Sequence, residues 1–179
     1  MTSIKRLLID IKNDFPDGNS NLRLFLVYYF YSPRFRVLLN HRIGKYLSKS
    51  KFFLLRQISN YFKSRLITNR NCDISYNAIL GKNLKLPHPI GIVIGYGVTI
   101  KDNVMIFQQV TLGSHGRKGK DMQYPTIESG VKIYAGAKIF GGVTIGENAI
   151  IGANAVVNID VPANATAVGI PCKIISNRR

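Results

Sequence analysis

Aliphatic residues recur every six positions through most of the second half of the chain. The first run is Ile74, Leu80, Leu86, Ile92, Val98, Val104 and Val110, and a second takes in Ile127, Ile133, Ile139, Ile145, Ile151 and Val157. Four positions after each member of the second run stands a small or branched residue: Val131, Ala137, Val143, Ala149, Ala155 and Val161. Gly or Asn often precedes these places (Asn77, Asn83, Gly130, Gly136, Gly142, Asn148, Asn154), where a tight corner favours positive φ. A period of six suits neither a helix nor a hairpin meander. It suits a prism with three flat sides, each a short strand, in which three hexapeptides complete one coil and stacked aliphatic side chains fill the interior.

Residues 1–70 carry a different pattern and read as helical. Asp17 to Asn19 separate a first segment from a second, and Ser32-Pro33 separate the second from the third. From Lys51 to Leu66 the apolar residues Leu54, Leu55, Ile58, Tyr61, Phe62 and Leu66 recur at helical spacing and predict one apolar face, turned to the prism, another subunit or lipid. The organisation expected is a helical leader over 1–70, a β-helix over 71–162 with an excursion at 113–125, and a tail over 163–179. The excursion holds Ser114-His115-Gly116-Arg117-Lys118-Gly119-Lys120-Asp121, too polar and glycine-rich for a prism wall and so an exposed loop. Long loops that break a regular scaffold commonly carry function.

Charge adds one constraint. The 179 residues carry a formal +16, and the leader holds 14 Lys/Arg against 3 Asp/Glu. Such a leader suits an anionic platform, a phosphate-rich membrane surface or a lipid-linked glycan. Its longest apolar run, Leu24 to Tyr31, is far short of the ~20 residues that span a bilayer. No signal-peptide pattern precedes it, because Lys5, Arg6, Asp10 and Lys12 interrupt any apolar stretch. A cytoplasmic chain is expected, with contact to the inner face of the membrane left open. Nucleic acid is the competing partner for a basic leader, but no nucleic-acid motif accompanies the charge and none is expected to bind. Cys72 and Cys172 lie in no CxxC pair, which reads as two reduced thiols. The histidines are His41, His88 and His115, with His41 outside the repeat, so a three-histidine zinc site of the carbonic anhydrase kind is not expected and no metal is assigned.

Several stretches resemble the hexapeptide-repeat acyltransferases, and within them the serine acetyltransferase branch. They are Cys72-Asp73-Ile74, His88-Pro89-Ile90-Gly91-Ile92-Val93-Ile94-Gly95, Val110-Thr111-Leu112-Gly113, Ala135-Gly136-Ala137-Lys138-Ile139, and Val161-Pro162 with Gly169-Ile170-Pro171. The short leader looks more like that of exopolysaccharide acetyltransferases, the colanic acid type among them. The resemblance implies a left-handed parallel β-helix, a homotrimer with three sites between neighbouring prisms, and acetyl-CoA lying in the groove between two subunits. It places His88 as the catalytic base and Asp73 as the carboxylate that orients it. Transfer from a thioester to a hydroxyl needs such a base, and imidazole, with an ordinary pKa of ~6.5, suits the task. A backbone donor for the thioester oxygen is sought at Gly113-Ser114. Ala135 and Ala153 match positions that contact the pantetheine arm, and Lys173 resembles a basic position near the nucleotide phosphates.

The pattern departs from the serine enzymes around the acceptor. An acidic neighbour of the catalytic histidine is here Pro87, and an Arg-His pair in the loop is here Gln123-Tyr124. Neutral groups do not replace the cation that a carboxylate prefers. The acceptor expected on this ground is a sugar hydroxyl of a polysaccharide or its lipid-linked precursor, held by Gln123 and stacked on Tyr124. L-serine is the alternative acceptor, and an antibiotic hydroxyl a further one.

Overall fold

The computed structural model describes residues 4–15, 21–116 and 122–175. Four helices come first: α1 (Ile4–Asn13), α2 (Leu22–Tyr31), α3 (Pro33–Ser48) and α4 (Phe53–Thr68). The expected break at Asp17 to Asn19 lies outside the described residues. Ser32 caps α3, its hydroxyl accepting from Phe35 N at 3.2 Å with Pro33 in the first turn. The third expected segment is two helices, parted at Lys49 to Phe52.

Fourteen short strands follow among the described residues. β1 (Cys72–Ile74), β3 (Ile92–Ile94), β6 (Thr111–Gly113), β9 (Lys138–Phe140) and β12 (Val156–Val157) stack in parallel as the A sheet. β2 (Ile79–Leu80), β4 (Thr99–Ile100), β7 (Thr126–Ile127) and β10 (Thr144–Ile145) form the B sheet. The C sheet holds β5 (Met105–Ile106), β8 (Lys132–Ile133), β11 (Ile150–Ile151) and β13 (Thr166–Val168), closed by β14 (Lys173–Ile175) running antiparallel. This is the left-handed parallel β-helix expected, with the C sheet running on past residue 162. Inward residues of all three sheets are buried, Ile74, Ile94, Leu112, Ile139 and Val157 forming the column of the A sheet.

The register corrects the repeat in one respect. Ile139 pairs with Val157, eighteen residues on, but Ile74 pairs with Ile94, twenty residues on. The partners of Ile74, Leu80 and Leu86 are therefore Ile94, Ile100 and Ile106, not the Ile92, Val98 and Val104 that an unbroken six-residue count selects. Two extra residues fall between Leu86 and Ile90. The excursion adds nine more, since Leu112 pairs with Ile139. Both series point inward because residues two apart on a strand share a face, so a slip of two leaves the alternation intact.

Two corners of the prism are built on left-handed backbone. Asn83, Asn103, Gly130, Asn148 and Asn164 line the corner between the B and C sheets, and Asn71, Gly91, Gln109, Gly136 and Asn154 the corner between the C and A sheets, all at positive φ. Asn77 and Gly142 do not share that conformation, and Gly141 takes it in place of Gly142. At Gly136 the glycine is required twice over: its φ is +74°, and a Cβ would stand 2.0 Å from the Asn154 side chain stacked above.

The leader closes the bottom of the prism. A first coil has no coil beneath it, and its carbonyls need donors. Helix α3 supplies them. Arg34 Nε donates to Leu84 O (2.9 Å), His41 Nε2 to Ser75 O (3.0 Å), Arg42 to the carbonyls of Leu80 and Gly81 (both 3.3 Å), and Lys45 Nζ to Ala78 O (2.6 Å). Arg42 also holds the buried Asp14 carboxylate through two contacts of 3.2 Å. Part of the leader's positive charge is thus spent on the cap, and the expected membrane contact gains no support from it. Among the described residues no helix is long and apolar enough to cross a membrane. The apolar face expected of α4 is largely outward: Leu54 is 70 % and Tyr61 61 % exposed, whereas Ser59 and Leu66 are buried. Ser59 goes inside because its hydroxyl donates to Gly44 O (2.9 Å) and its carbonyl accepts from Tyr76 OH (3.0 Å).

Candidate active site

His88 stands in the two-residue insertion, in Pro87-His88-Pro89 at the C-to-A corner. Ile90 N donates to His88 O at 2.8 Å, tightening the bulge. Pro89 is buried and its carbonyl accepts from the Cys72 thiol at 3.3 Å. Burial raises that thiol above its ordinary pKa, so Cys72 acts here as an anchoring donor and not as a nucleophile. The bulge is fixed on its inner side and carries the imidazole outward, exposed to solvent. The ring lies beside Phe107 on the coil above (centroids 6.4 Å apart, planes tilted by 46°), and Phe107 stacks on Tyr134 (5.1 Å, 12°).

Ala135 and Ala153 climb the same corner on successive coils, Asn154 N donating to Ala135 O at 2.9 Å. Both side chains are small and reach toward the surface, Ala135 half-buried and Ala153 exposed. They put methyl groups at this corner on the two coils that follow the one bearing Phe107 and Gln108. Lys173, on β14 near the last coil, is exposed. Asp73 lies just round the corner on the A sheet, in register with Val93, and its side chain faces outward. Its carboxylate is bound by Lys63 of α4, whose ammonium also donates to Ile74 O at 2.9 Å. Among the described residues no hydrogen bond joins Asp73 to His88.

The remaining expected site residues gather elsewhere, at the A-to-B corner where the excursion leaves. Gly113 ends β6, and a Cβ on it would meet nothing within 4 Å. The Ser114 hydroxyl and the Tyr124 hydroxyl both approach Met122 Sδ at 3.8 Å, which draws the two ends of the loop together. Tyr124 lies back on the prism against Gly97, where a Cβ would come within 2.5 Å of its ring; a glycine there is what admits the tyrosine. Gln123 is exposed and covers Gly142, and His115 leans over Gly141. Within one chain His88 and the loop residues therefore stand at different corners. No group of three or more His, Cys, Asp or Glu side chains is placed to hold a metal among the described residues.

Sequence reasoning singled out neither Lys63 nor Phe107. Lys63 sits on a helix whose register against β1 is a tertiary matter. Phe107 reads as one more side chain beside a buried isoleucine until the coil stacking sets it over the bulge.

Residues 124–158 match the family described as bacterial transferase hexapeptide (six repeats). A serine acetyltransferase of Staphylococcus aureus is 38% identical over 178 residues, covering 98% of this chain and 79% of that protein. The chain belongs to the serine acetyltransferase family. A serine acetyltransferase of Buchnera aphidicola is 40% identical over 152 residues, 85% of this chain and 54% of that protein. The chain thus spans about half the length of some curated relatives it matches. Among solved structures, the serine acetyltransferase of Brucella abortus in complex with coenzyme A superposes with a TM-score of 0.77 at 35% identity, covering 95% of this chain and 66% of that one. Soybean serine acetyltransferase complexed with serine gives 0.76 at 33% identity, covering 94% and 68%. The expected kinship with exopolysaccharide enzymes finds no support in these names, and the ground left for a carbohydrate acceptor is the neutral set Pro87, Gln123 and Tyr124.

Proposed function

We propose that this chain is an acetyl-CoA-dependent O-acetyltransferase whose acceptor is L-serine, with His88 as general base. The observation that carries it is the placement of His88: an exposed imidazole lifted off the wall by a two-residue insertion, at the corner that carries Ala135 and Ala153 on later coils, in a chain aligned over almost its whole length with serine acetyltransferases. In this reading the hydroxyl loses its proton to His88 as it attacks the thioester carbonyl, and the imidazolium returns the proton to the departing thiolate. Asp73 holds the ring. Ala135 and Ala153 admit the pantetheine arm, a Gly113-Ser114 N–H donates to the developing oxyanion, and Lys173 lies toward the phosphates.

The separation of the two corners supports a homotrimer. A C-to-A corner bearing His88 meets the A-to-B corner of the next copy, bearing Gly113, Ser114, Gln123 and Tyr124, and three-fold closure repeats the pairing.

One observation favours a second reading. Gln123, Tyr124 and Pro87 supply no charge for a zwitterion, and they suit a neutral hydroxyl such as a sugar's. A CoA-release assay over L-serine, free sugars and a lipid-linked oligosaccharide decides between the two. Saturable turnover with L-serine at the highest kcat/KM is expected; turnover confined to sugars overturns the serine reading and leaves the chemistry standing.

A further inference from the structure

Lys63, on the third turn of α4, places its ammonium on the Asp73 carboxylate and donates to Ile74 O at 2.9 Å, so it grips the outer edge of β1 at two adjacent residues. The lysine is itself held, its ammonium lying 5.8 Å from the centroid of the Tyr76 ring, while Tyr76 OH donates to Ser59 O of the same helix. The contact takes one carboxylate oxygen, Asp73 Oδ1, leaving the other to a different donor. Asp73 is flanked by Cys72, whose thiol donates to Pro89 O beside His88, so the main chains of the acid and the base are already tied at this corner.

An exposed carboxylate on a strand samples several rotamers, and a surface ion pair by itself contributes little to stability. Lys63 therefore matters less for the fold than for where the carboxylate points. We infer that Lys63 is a positioning residue of the acetyl transfer: it fixes Asp73 Oδ1 so that the second oxygen is presented to His88. The inference rests on the reading of Asp73 and His88 given above. It makes α4 part of the active site's support and gives the leader a task besides closing the first coil.

The test is a double-mutant cycle in the full chain, with kcat and the KM for acetyl-CoA measured for Lys63→Met, Lys63→Arg, Asp73→Asn and Lys63→Met/Asp73→Asn. Expected is a fall in kcat of about tenfold for Lys63→Met with KM within about twofold, recovery to within about threefold in Lys63→Arg, and no further loss when Lys63→Met is added to Asp73→Asn. Circular dichroism melting that agrees between Lys63→Met and Lys63→Arg separates positioning from folding. Equal losses from Lys63→Met in both backgrounds, or wild-type kcat in Lys63→Met beside an impaired Asp73→Asn, overturn the inference alone. Wild-type kcat in Asp73→Asn overturns the reading of the acid–base pair and the inference with it.

Discussion

An imidazole serves as a base only where a hydroxyl can reach it, and the Pro87-His88-Pro89 bulge supplies that reach by carrying the ring clear of a wall built from stacked strands. Its anchors are local: the Ile90 N–H on His88 O and the Cys72 thiol on Pro89 O. His88→Ala is expected to lower the rate of CoA release by at least ~10²-fold, the order that positioned proton transfer contributes. Gel filtration and binding of a CoA analogue should remain as in the parent chain, because nothing in the core rests on the ring. Retention of near-parental turnover in His88→Ala would falsify the assignment of the base. His88 was legible in the sequence from the residues that follow it, Ile90-Gly91-Ile92-Val93-Ile94-Gly95. Its contact with Phe107 was not, since it joins residues on different coils.

At the scale of elements, α3 is a cap first and a basic helix second. Arg42 and Asp14 are both buried, and the arginine divides its donors between that carboxylate and the Leu80 and Gly81 carbonyls. Removing one partner of such a pair strands the other without water. Arg42→Met is expected to cost about 3–5 kcal/mol in urea unfolding, and Arg42→Met/Asp14→Leu to recover part of it. His41 gives the same helix a pH signature. Its ring is fully buried, Nε2 donates to Ser75 O, and burial pushes its pKa down to about 3. The unfolded chain binds this proton below pH ~6.5 and the folded chain does not. The contribution of His41 is therefore undiminished above pH ~6.5 and falls by about 1.4 kcal/mol per unit as the pH drops toward 3. His41→Gln should lose that slope. Urea midpoints of the two chains compared at pH 7.5 and 5 measure it, and the pairwise difference cancels the opposite slope from Asp14, whose pKa burial raises. An unchanged slope in His41→Gln would mean that the ring is charged in the fold.

At the scale of the whole molecule, the prism stacks its coils so that each is supported by its neighbours. Ile139 sits in mid-column between Leu112 and Val157 with no exposure. Ile139→Ala is expected to lower stability by about 2–5 kcal/mol in urea unfolding. The assembly makes a sharper prediction. If one site uses the His88 corner of one copy and the loop corner of the next, His88→Ala chains and chains with Tyr124→Ala and Gln123→Ala should complement each other. Co-refolding the two inactive proteins in equal amounts should restore activity at about a quarter of the sites, by random assembly of the trimer. Mixtures as inactive as their components would place the whole site within one chain.

Periodicity alone determined the prism. Thirteen aliphatic residues in two runs at a spacing of six suit stacked three-sided coils and neither a helix nor a meander, and the polar, glycine-rich stretch after Gly113 had to leave them. The His88 motif was equally local. Register was decided only by the tertiary structure, because a strand points the same way at i and i+2 and a two-residue insertion leaves an inward aliphatic at every expected place. The pairing of Ile74 with Ile94 reveals it, and the inserted residues are those that carry His88, the proposed base. The use of the leader's charge was also tertiary: whether an arginine faces water, lipid or a strand's open carbonyls depends on what the helix is docked against. Here α3 lies under the first coil, where the carbonyls of Ser75, Ala78, Leu80, Gly81 and Leu84 accept from its side chains.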